Sequence, residues 1–284
     1  DSETLYYTPT IGDGQSFGGR GTQASINTTT TNFNQILAYS NVFGDYHHLS
    51  AKVGHEYYKY EYDYFDGQKT NFFNPSNPEL NNGGQMQYIN SYKVNHNIEG
   101  YFGMADYDYN NKYYISAAFR RDGTSRFLDR WGNFWSAGAS WLISKEDWFD
   151  YSWINMLKLK ASYGSQGNDN IGNYRYANVY TIRNSSGNPA AVPETMGNKD
   201  ITWETNGNFN AGIEFEVFDS RLTGSVEFFY RKTSDMLFSF PLPPTFGYTS
   251  YYANIGDMRN RGVELELNGT VVKTNDITWD IRLN

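Results

Sequence analysis

The spacing of two pairs of acidic residues in this sequence suggests a catalytic role. Glu214 and Glu216 stand two positions apart, and so do Glu264 and Glu266. Residues two apart in a β-strand point to the same face, so each pair presents two carboxyl groups together. Two carboxyl groups about 5 to 10 Å apart form the catalytic pair of glycoside hydrolases. The same spacing of polar side chains recurs in strand after strand, which favours a polar wall over a catalytic pair.

The histidines and the lack of cysteine bear on metal binding. His47, His48, His55 and His96 are the only histidines, and no third ligand stands at a spacing typical of a zinc site. The sequence has no cysteine, which removes disulfides and thiolate metal sites from consideration. The glycine-rich stretch 164–167 does not lead from a strand into a helix, as a phosphate-binding loop requires. We therefore predict no metal, no cofactor and no catalytic constellation.

Six aromatic residues crowd one proline-rich segment, residues 233–257, and form the strongest candidate for a binding surface. Aromatic rings stack on sugar rings and anchor protein interfaces, because they bury a large area with little loss of rotamer freedom. For a second aromatic run, residues 57–65, we favour an interfacial girdle or loop-packing cluster over contact with a substrate or lid. For the first segment the sequence leaves open whether the rings contact a substrate or a protein lid, or only pack together: Phe238, Phe240, Phe246, Tyr248, Tyr251 and Tyr252.

Alternation of apolar and polar residues is the pattern that must position all of these side chains. From Val263 to Leu267 every second residue is apolar, and glutamates stand between them. The pattern is typical of a strand with one apolar and one wet face. We predict that one set of residues faces lipid: Leu157, Leu159, Ile213, Phe215, Val263, Leu265 and Leu267. We predict that the other set lines a lumen: Lys158, Lys160, Glu214, Glu216, Glu264 and Glu266.

Composition narrows the class of protein. Aromatic residues make up 18% of the chain, yet the mean hydropathy is −0.68. No stretch approaches the roughly 20 apolar residues that a membrane helix needs, which excludes a helical membrane protein. A soluble β-sandwich would need a more apolar interior than these charged strand faces offer. A net charge of −8 argues against nucleic acid as a partner.

The chain is predicted to be all-β, a transmembrane antiparallel up-and-down β-barrel. About ten strands are expected, and three long connections, 65–91, 166–204 and 233–257, should share one rim. Short turns at 44–46, 110–111, 219–220 and 275–276 should mark the other rim, with a brief helical turn within 145–153. The ten strands lie near 30–43, 47–64, 92–108, 112–122, 132–145, 155–165, 205–218, 221–232, 258–272 and 276–284.

Six strings of the chain follow one another in an order that is specific in combination. They are FGDYHHLSAKVGHEY from Phe43, RRDGTSRF from Arg120, WLISKEDWF from Trp141, LKLKASYGSQGN from Leu157, ITWETNGNF from Ile201 and NIGDMRNRGVELELNG from Asn254. Taken together they resemble the SusC/RagA family of TonB-dependent outer-membrane transporters. The resemblance covers nearly the whole chain.

The resemblance implies a full protein of about 22 strands closed around an N-terminal plug domain. It implies import of large nutrients, oligosaccharides or peptides, beneath a SusD-like surface lipoprotein that acts as a lid. It also implies that the TonB complex drives import through a plug region absent from this chain. We expect residues 1–284 to be a partial barrel domain in lipid contact in the Gram-negative outer membrane, without the plug domain or the TonB box.

Two other functions stay open. A TonB-dependent receptor for siderophores or vitamins would share the barrel and differ in its plug and loops. A surface carbohydrate-binding β protein or hydrolase would share the alternation of residues but would not span a membrane.

Overall fold

The computed structural model describes residues 1–284, and most of them belong to fifteen β-strands. Four short 3-10 turns complete the regular structure, and none has the length or apolar character of a membrane-crossing helix. The turns span Gly12–Phe17, Leu80–Asn82, Ile143–Lys145 and Pro244–Phe246. The strands are β1 (Ser2–Tyr7), β2 (Arg20–Phe43), β3 (His47–Phe72), β4 (Gly83–Tyr109), β5 (Tyr113–Thr124), β6 (Trp131–Leu142), β7 (Ile154–Asn168), β8 (Val179–Ser185), β9 (Asn188–Met196), β10 (Glu204–Val217), β11 (Leu222–Ser234), β12 (Leu237–Pro241), β13 (Ser250–Asn254), β14 (Met258–Lys273) and β15 (Thr278–Leu283).

Eleven of these strands form one sheet in the order β1-β2-β3-β4-β5-β6-β7-β10-β11-β14-β15. Apart from two hairpins that leave the sheet, each strand lies beside its neighbour in the chain, which is the up-and-down order. All ten predicted strands are present, and β1 is an addition. The prediction of an all-β, up-and-down fold is therefore confirmed.

Short turns at one edge of this sheet agree with the sequence. Asp45, Asn110 and Asp219 adopt positive φ angles of 64°, 53° and 54°, a conformation that Asn and Asp tolerate better than most residues. The backbone N–H of Asn110 donates to the carbonyl of Tyr46 at 2.7 Å, which places two of these turns side by side. The helical turn expected within 145–153 occurs slightly earlier, at Ile143–Lys145.

The strands β3 and β4 are much longer than predicted. They contain 26 and 27 residues, and the segment expected to be a loop, residues 65–91, is strand except for a connection at 73–82. A membrane-crossing strand needs only about 9 to 11 residues. The loop prediction was wrong because tyrosine and asparagine suggest a connection, whereas neighbouring strands supply the backbone partners that extend the sheet.

The two other predicted loops also contain strands. The hairpins β8–β9 and β12–β13 join in a second sheet of order β12-β13-β9-β8, named here the cap sheet. Within it β13 and β9 run parallel, with Ser250 opposite Thr195 and Tyr251 opposite Met196. The two segments are more than fifty residues apart in the chain, so their pairing leaves no local pattern in the sequence.

A buried apolar cluster lies where the cap sheet meets β6 of the eleven-stranded sheet. Trp203 is 8% exposed, and its ring makes edge-on contacts with Phe127 and Phe134 at centroid distances of 5.6 and 5.4 Å. Ile171 and Ile201 complete the cluster. Glycine at positions 132 and 167 makes room for the Phe134 ring, because a Cβ at either site would overlap it.

Contacts divide the chain into two compact units. The first comprises residues 1–33 and 57–97, and the second comprises residues 34–56 and 98–284. The strands β2, β3 and β4 contribute residues to both units, while the cap sheet and its apolar cluster belong to the second.

The facing of β4 within the second unit, which the sequence left undecided, follows from its pairing with β5. Tyr101 stands opposite Arg121 and Tyr107 opposite Ile115, so both tyrosines share a face with the exposed apolar side of β5. Met104 pairs with Ala118 on the other face.

Replacement of Trp203 by alanine should loosen the cap sheet. The substitution removes two ring contacts and a hydrogen bond from the indole N–H to the carbonyl of Arg130, 3.1 Å long. Such a change costs about 3 to 5 kcal/mol at a buried site. Limited proteolysis should then cut within 169–203 sooner than in the parent protein. The control is Trp148→Ala, since Trp148 is 64% exposed; equal protection of both variants would contradict the packing role.

Candidate functional site

Ion pairs join three neighbouring strands on one face of the eleven-stranded sheet. Lys158 Nζ lies 3.3 Å from Glu214 Oε2, and Lys160 Nζ lies 2.9 Å from Glu214 Oε1 and 2.7 Å from Glu227 Oε2. Lys160 and Glu227 flank Gly212, which stands opposite both of them in the two ladders. Because Gly212 has no side chain, the lysine of β7 reaches across β10 to the glutamate of β11.

A polar cavity of about 820 Å³ extends over this face of the second unit. Lys158, Lys160 and Glu227 line it together with His48, whose Nδ1 lies 2.7 Å from Asp108 Oδ2. Opposite charges balance one another along this wall, so it presents hydrogen-bonding groups without a strong field of either sign.

The paired carboxylates do not form a hydrolase site. Glu214 is neutralised by two lysines, and Glu216 Oε2 accepts a hydrogen bond from Ser220 Oγ at 3.2 Å. Glu264 stands directly opposite Glu227 on β11. Glu266 Oε1 accepts a hydrogen bond from the Asn268 amide at 3.2 Å. Glu227 is itself ion-paired with Lys160, so the carboxylates along the polar wall do not form an isolated acid and base.

Each of the four histidines contacts a different partner. Nδ1 of His47 lies 2.7 Å from the Tyr107 hydroxyl, and Nε2 of His55 lies 3.2 Å from Glu99 Oε1. His96 contacts the Tyr58 ring. No group of three potential metal ligands exists in the structure.

The predicted apolar set lies together on the opposite face of the strands. Leu159 stands opposite Ile213, and Leu157 stands opposite Phe215. Val226 on β11 stands opposite Leu265. Four of the seven predicted residues are at least 43% exposed, with Val263 at 67%. Leu267 stands opposite Gly224 at the end of this row.

Aromatic rings border the exposed apolar face at two levels. Tyr113 lies between Tyr109 and Trp141, with stacked rings at centroid distances of 6.2 and 6.1 Å. At the second level the Arg121 guanidinium lies 5.3 Å from the Trp131 ring. The two levels are eight residues apart along β5, about 27 Å at 3.4 Å per residue, similar to the roughly 25 Å apolar band of membrane barrels. Between the two levels, β5 contributes only Ile115, Ala117 and Phe119 to this face.

The structure divides the six candidate aromatic residues between two faces of the cap sheet. Tyr252 packs on the buried apolar cluster, and the Arg175 guanidinium lies 4.7 Å from its ring. Phe240 pairs with Tyr251 across the β12–β13 hairpin, and its ring lies 6.3 Å from that of Phe238. Strand alternation places these three rings on the face turned away from the cluster.

The remaining candidates stand beside the hairpin. Phe246 is 61% exposed in the 3-10 turn, and the Tyr248 hydroxyl interacts with that of Tyr180 on β8. Met196 lies opposite Tyr251 on the outward face and is 38% exposed. Trp203, Phe127 and Met196 were not predicted from the sequence, because their roles depend on the pairing of segments distant in the chain.

A hydrogen-bonded glutamate fastens the connection between β6 and β7. Glu146 Oε1 accepts hydrogen bonds from the Tyr113 hydroxyl at 2.5 Å and from the Trp141 indole at 2.9 Å. Lys112 Nζ lies 3.4 Å from Glu146 Oε2. The hydrogen bonds from Tyr113 and Trp141 and the charge of Lys112 hold the pKa of Glu146 below its usual value.

Comparison with known proteins gives concordant matches. The family model described as TonB dependent receptor-like, beta-barrel matches residues 2–284. TonB-dependent receptor P3 of Formosa agariphila is 32% identical over 284 residues, which cover 97% of this chain and 28% of the relative. TonB-dependent receptor SusC of Bacteroides thetaiotaomicron is 31% identical over 211 residues, which cover 68% of this chain and 20% of the relative.

A solved structure shares both fold and sequence with the chain. The structure of the RagAB peptide transporter matches with a TM-score of 0.85 and 30% identity, covering 93% of this chain and 30% of the matched chain. This chain therefore spans less than a third of the length of these three relatives.

Replacement of Glu146 by glutamine should remove the pH dependence of the structure around the β6–β7 connection. A carboxyl group whose pKa is lowered by folding stabilises the folded state above its unfolded pKa, and that contribution is lost as the pH falls through the folded pKa. We expect tryptophan fluorescence from Trp141 to change on acidification below about pH 4.3, the ordinary glutamate value. In the variant this change should be absent. Asp147→Asn is the control because Asp147 is fully exposed; an unchanged acid transition in Glu146→Gln would contradict the assignment.

Proposed function

The chain belongs to the family of TonB-dependent receptor-like β-barrels, and we propose that it forms part of the wall of an importer of large nutrients, oligosaccharides or peptides. Barrels of this family lie in the Gram-negative outer membrane. They are receptors and transporters, not enzymes, so the hydrolase alternative is wrong. The observation that carries the proposal is the 30% identity with the RagAB transporter over 93% of the chain.

The same likeness favours nutrient import over the siderophore or vitamin alternative. SusC is among the relatives at 31% identity, and RagAB is described as a peptide importer. The RagAB structures include a closed-closed and an open-open state. We propose that the full protein likewise works with a SusD-like surface lipoprotein as its lid, and that the TonB complex acts on it through a plug region outside residues 1–284.

The two faces of the sheet have distinct roles in this proposal. The exposed apolar set, which includes Leu159, Ile213, Val263 and Leu265, faces lipid, because such a surface is costly in water. The ion-paired set around Lys160 faces the lumen, where water and the plug supply hydrogen-bonding partners. The aromatic rows that border the apolar face fit the two interfaces of the membrane.

The outward face of the cap sheet is the proposed contact with cargo or lid. Phe238 is 45% exposed, and Phe246 is 61% exposed. The hairpin is held from behind by the apolar cluster, and three prolines between positions 241 and 244 restrict its turn. Little conformational entropy is then lost when a partner docks on these rings. Tyr252 is reassigned to packing of the cap sheet, because its ring lies on the buried cluster.

Replacement of Phe238 and Phe246 by alanine in the full-length protein should weaken import without loss of the barrel. Each ring lies outside the eleven-stranded ladder, and loss of an anchor residue costs about 1 kcal/mol or more, roughly fivefold in affinity. Uptake of the limiting nutrient and co-purification of a surface lipoprotein measure the effect at matched expression.

The control is Tyr46→Ala, an exposed aromatic change in a turn at the opposite end of the strands. Normal uptake together with normal co-purification in the double variant would remove the cap sheet from cargo and lid binding. Unimpaired growth of a strain that lacks the whole protein, on every oligosaccharide and peptide tested, would contradict the importer function itself.

A further inference from the structure

One face of β3 and β4 in the first unit carries a row of tyrosines that the cap sheet and the polar wall do not include. Ring contacts show that the members share this face. Tyr62 and Tyr64 stack with an interplanar angle of 8° at 6.3 Å, and Tyr92 lies 6.0 and 5.0 Å from them. The tyrosine face comprises Tyr58, Tyr60, Tyr62, Tyr64 and Asp66 of β3 and Tyr88, Tyr92 and His96 of β4.

A buried carboxyl group stands at the end of this row. Asp66 is 7% exposed, and its Oδ1 has no hydrogen-bond partner. The hydroxyls of Tyr64 and Tyr88 interact with the same carboxyl group. A buried acceptor without a donor costs free energy, so this oxygen favours any donor that enters between the two rings.

The opposite face of the same strands differs in character. Lys59 pairs with Glu61 at 2.9 Å, and Lys93 pairs with Asp63 at 3.0 Å. These paired residues occupy odd positions, whereas the tyrosine face carries neither lysine nor arginine between positions 58–66 and 88–96. Asp66 therefore has no lysine or arginine beside it on this face of β3 and β4.

We propose that the tyrosine face binds a neutral oligosaccharide, an inference that rests on the proposed import function and names its cargo class. Flat rings set about 5 to 6 Å apart offer a platform to the C–H faces of successive sugar units. Sugar hydroxyls can donate hydrogen bonds to the tyrosine hydroxyl oxygens and to Asp66 Oδ1. The platform is already ordered by ring contacts, so little side-chain entropy is lost on binding.

The chemistry of the face favours a saccharide over the other cargo class. A peptide carries its own backbone donors and acceptors in an alternating row, for which a β-sheet edge is the matching partner. The tyrosine face offers rings and hydroxyls instead. An acidic ligand is disfavoured, because the face holds an unneutralised carboxyl group and no lysine or arginine.

Direct binding to the purified full-length protein in detergent tests this inference. Calorimetry would use maltohexaose, cellohexaose, xylohexaose and laminarihexaose as neutral probes, with an oligoalginate and a mixed hexapeptide pool for comparison. We expect at least one neutral saccharide to bind. In the variant Tyr62→Ala/Tyr92→Ala its affinity should fall at least tenfold.

Two further variants separate binding from folding. Phe65→Ala is the matched control, since Phe65 is a 47% exposed ring at the neighbouring odd position of β3; its affinity should stay within twofold of the parent. Asp66→Asn keeps the size of the side chain while it adds a donor and removes the charge, and it should weaken saccharide binding at unchanged thermal stability.

The outcomes distinguish this inference from the importer function. Binding of the peptide pool alone, or of no neutral saccharide, would overturn the saccharide site even if cells still import a nutrient through the protein. Equal saccharide affinity in the parent and the double tyrosine variant would overturn it as well. Normal nutrient uptake by cells without the protein would instead count against the importer function.

Discussion

The exposed apolar face of the eleven-stranded sheet is the constraint on which the rest of the structure depends. Leu159, Ile213 and Val263 lie open on it, and no second layer of the chain covers them. Exposed apolar surface of this extent is unfavourable in water. In lipid the same surface is favourable, provided that every backbone group finds its partner within the sheet. Between the edge strands β1 and β15 the antiparallel ladder supplies those partners, so the strand pattern suits a membrane.

The polar face and the cap sheet follow from the same arrangement. Charged residues collect on the side of the strands opposite this apolar face, where Lys160 bridges three strands over Gly212. The only substantial apolar core then forms where long connections leave the sheet and pack around Trp203. That core packs against the β12–β13 hairpin, while Phe238 and Phe246 stay exposed.

The local pattern of residues was sufficient to predict the ten long strands and their tight turns, because alternation and turn-forming residues act over a few positions. Two kinds of feature could not be predicted from this local pattern. The short strands of the cap sheet depend on pairing between segments 188–196 and 250–254, which no local pattern reports. The extension of β3 to Phe72 depends on neighbouring strands rather than on its own tyrosine-rich sequence. Likewise, only the register of the hairpin shows that Tyr252 and Phe238 lie on opposite faces of the cap sheet.

A scan of probe accessibility along β14 shows directly whether the apolar face of the sheet meets lipid. Residues 1–284 contain no cysteine. Once any cysteine elsewhere in the full-length protein is replaced by serine, single cysteines at positions 263, 264, 265 and 266 can each carry a nitroxide label in the protein reconstituted in lipid vesicles. We expect labels at Val263 and Leu265 to collide with oxygen dissolved in the bilayer, and labels at Glu264 and Glu266 to collide with a water-soluble nickel complex. The reverse alternation, or nickel access at all four positions, would contradict the lipid-facing assignment of the apolar residues.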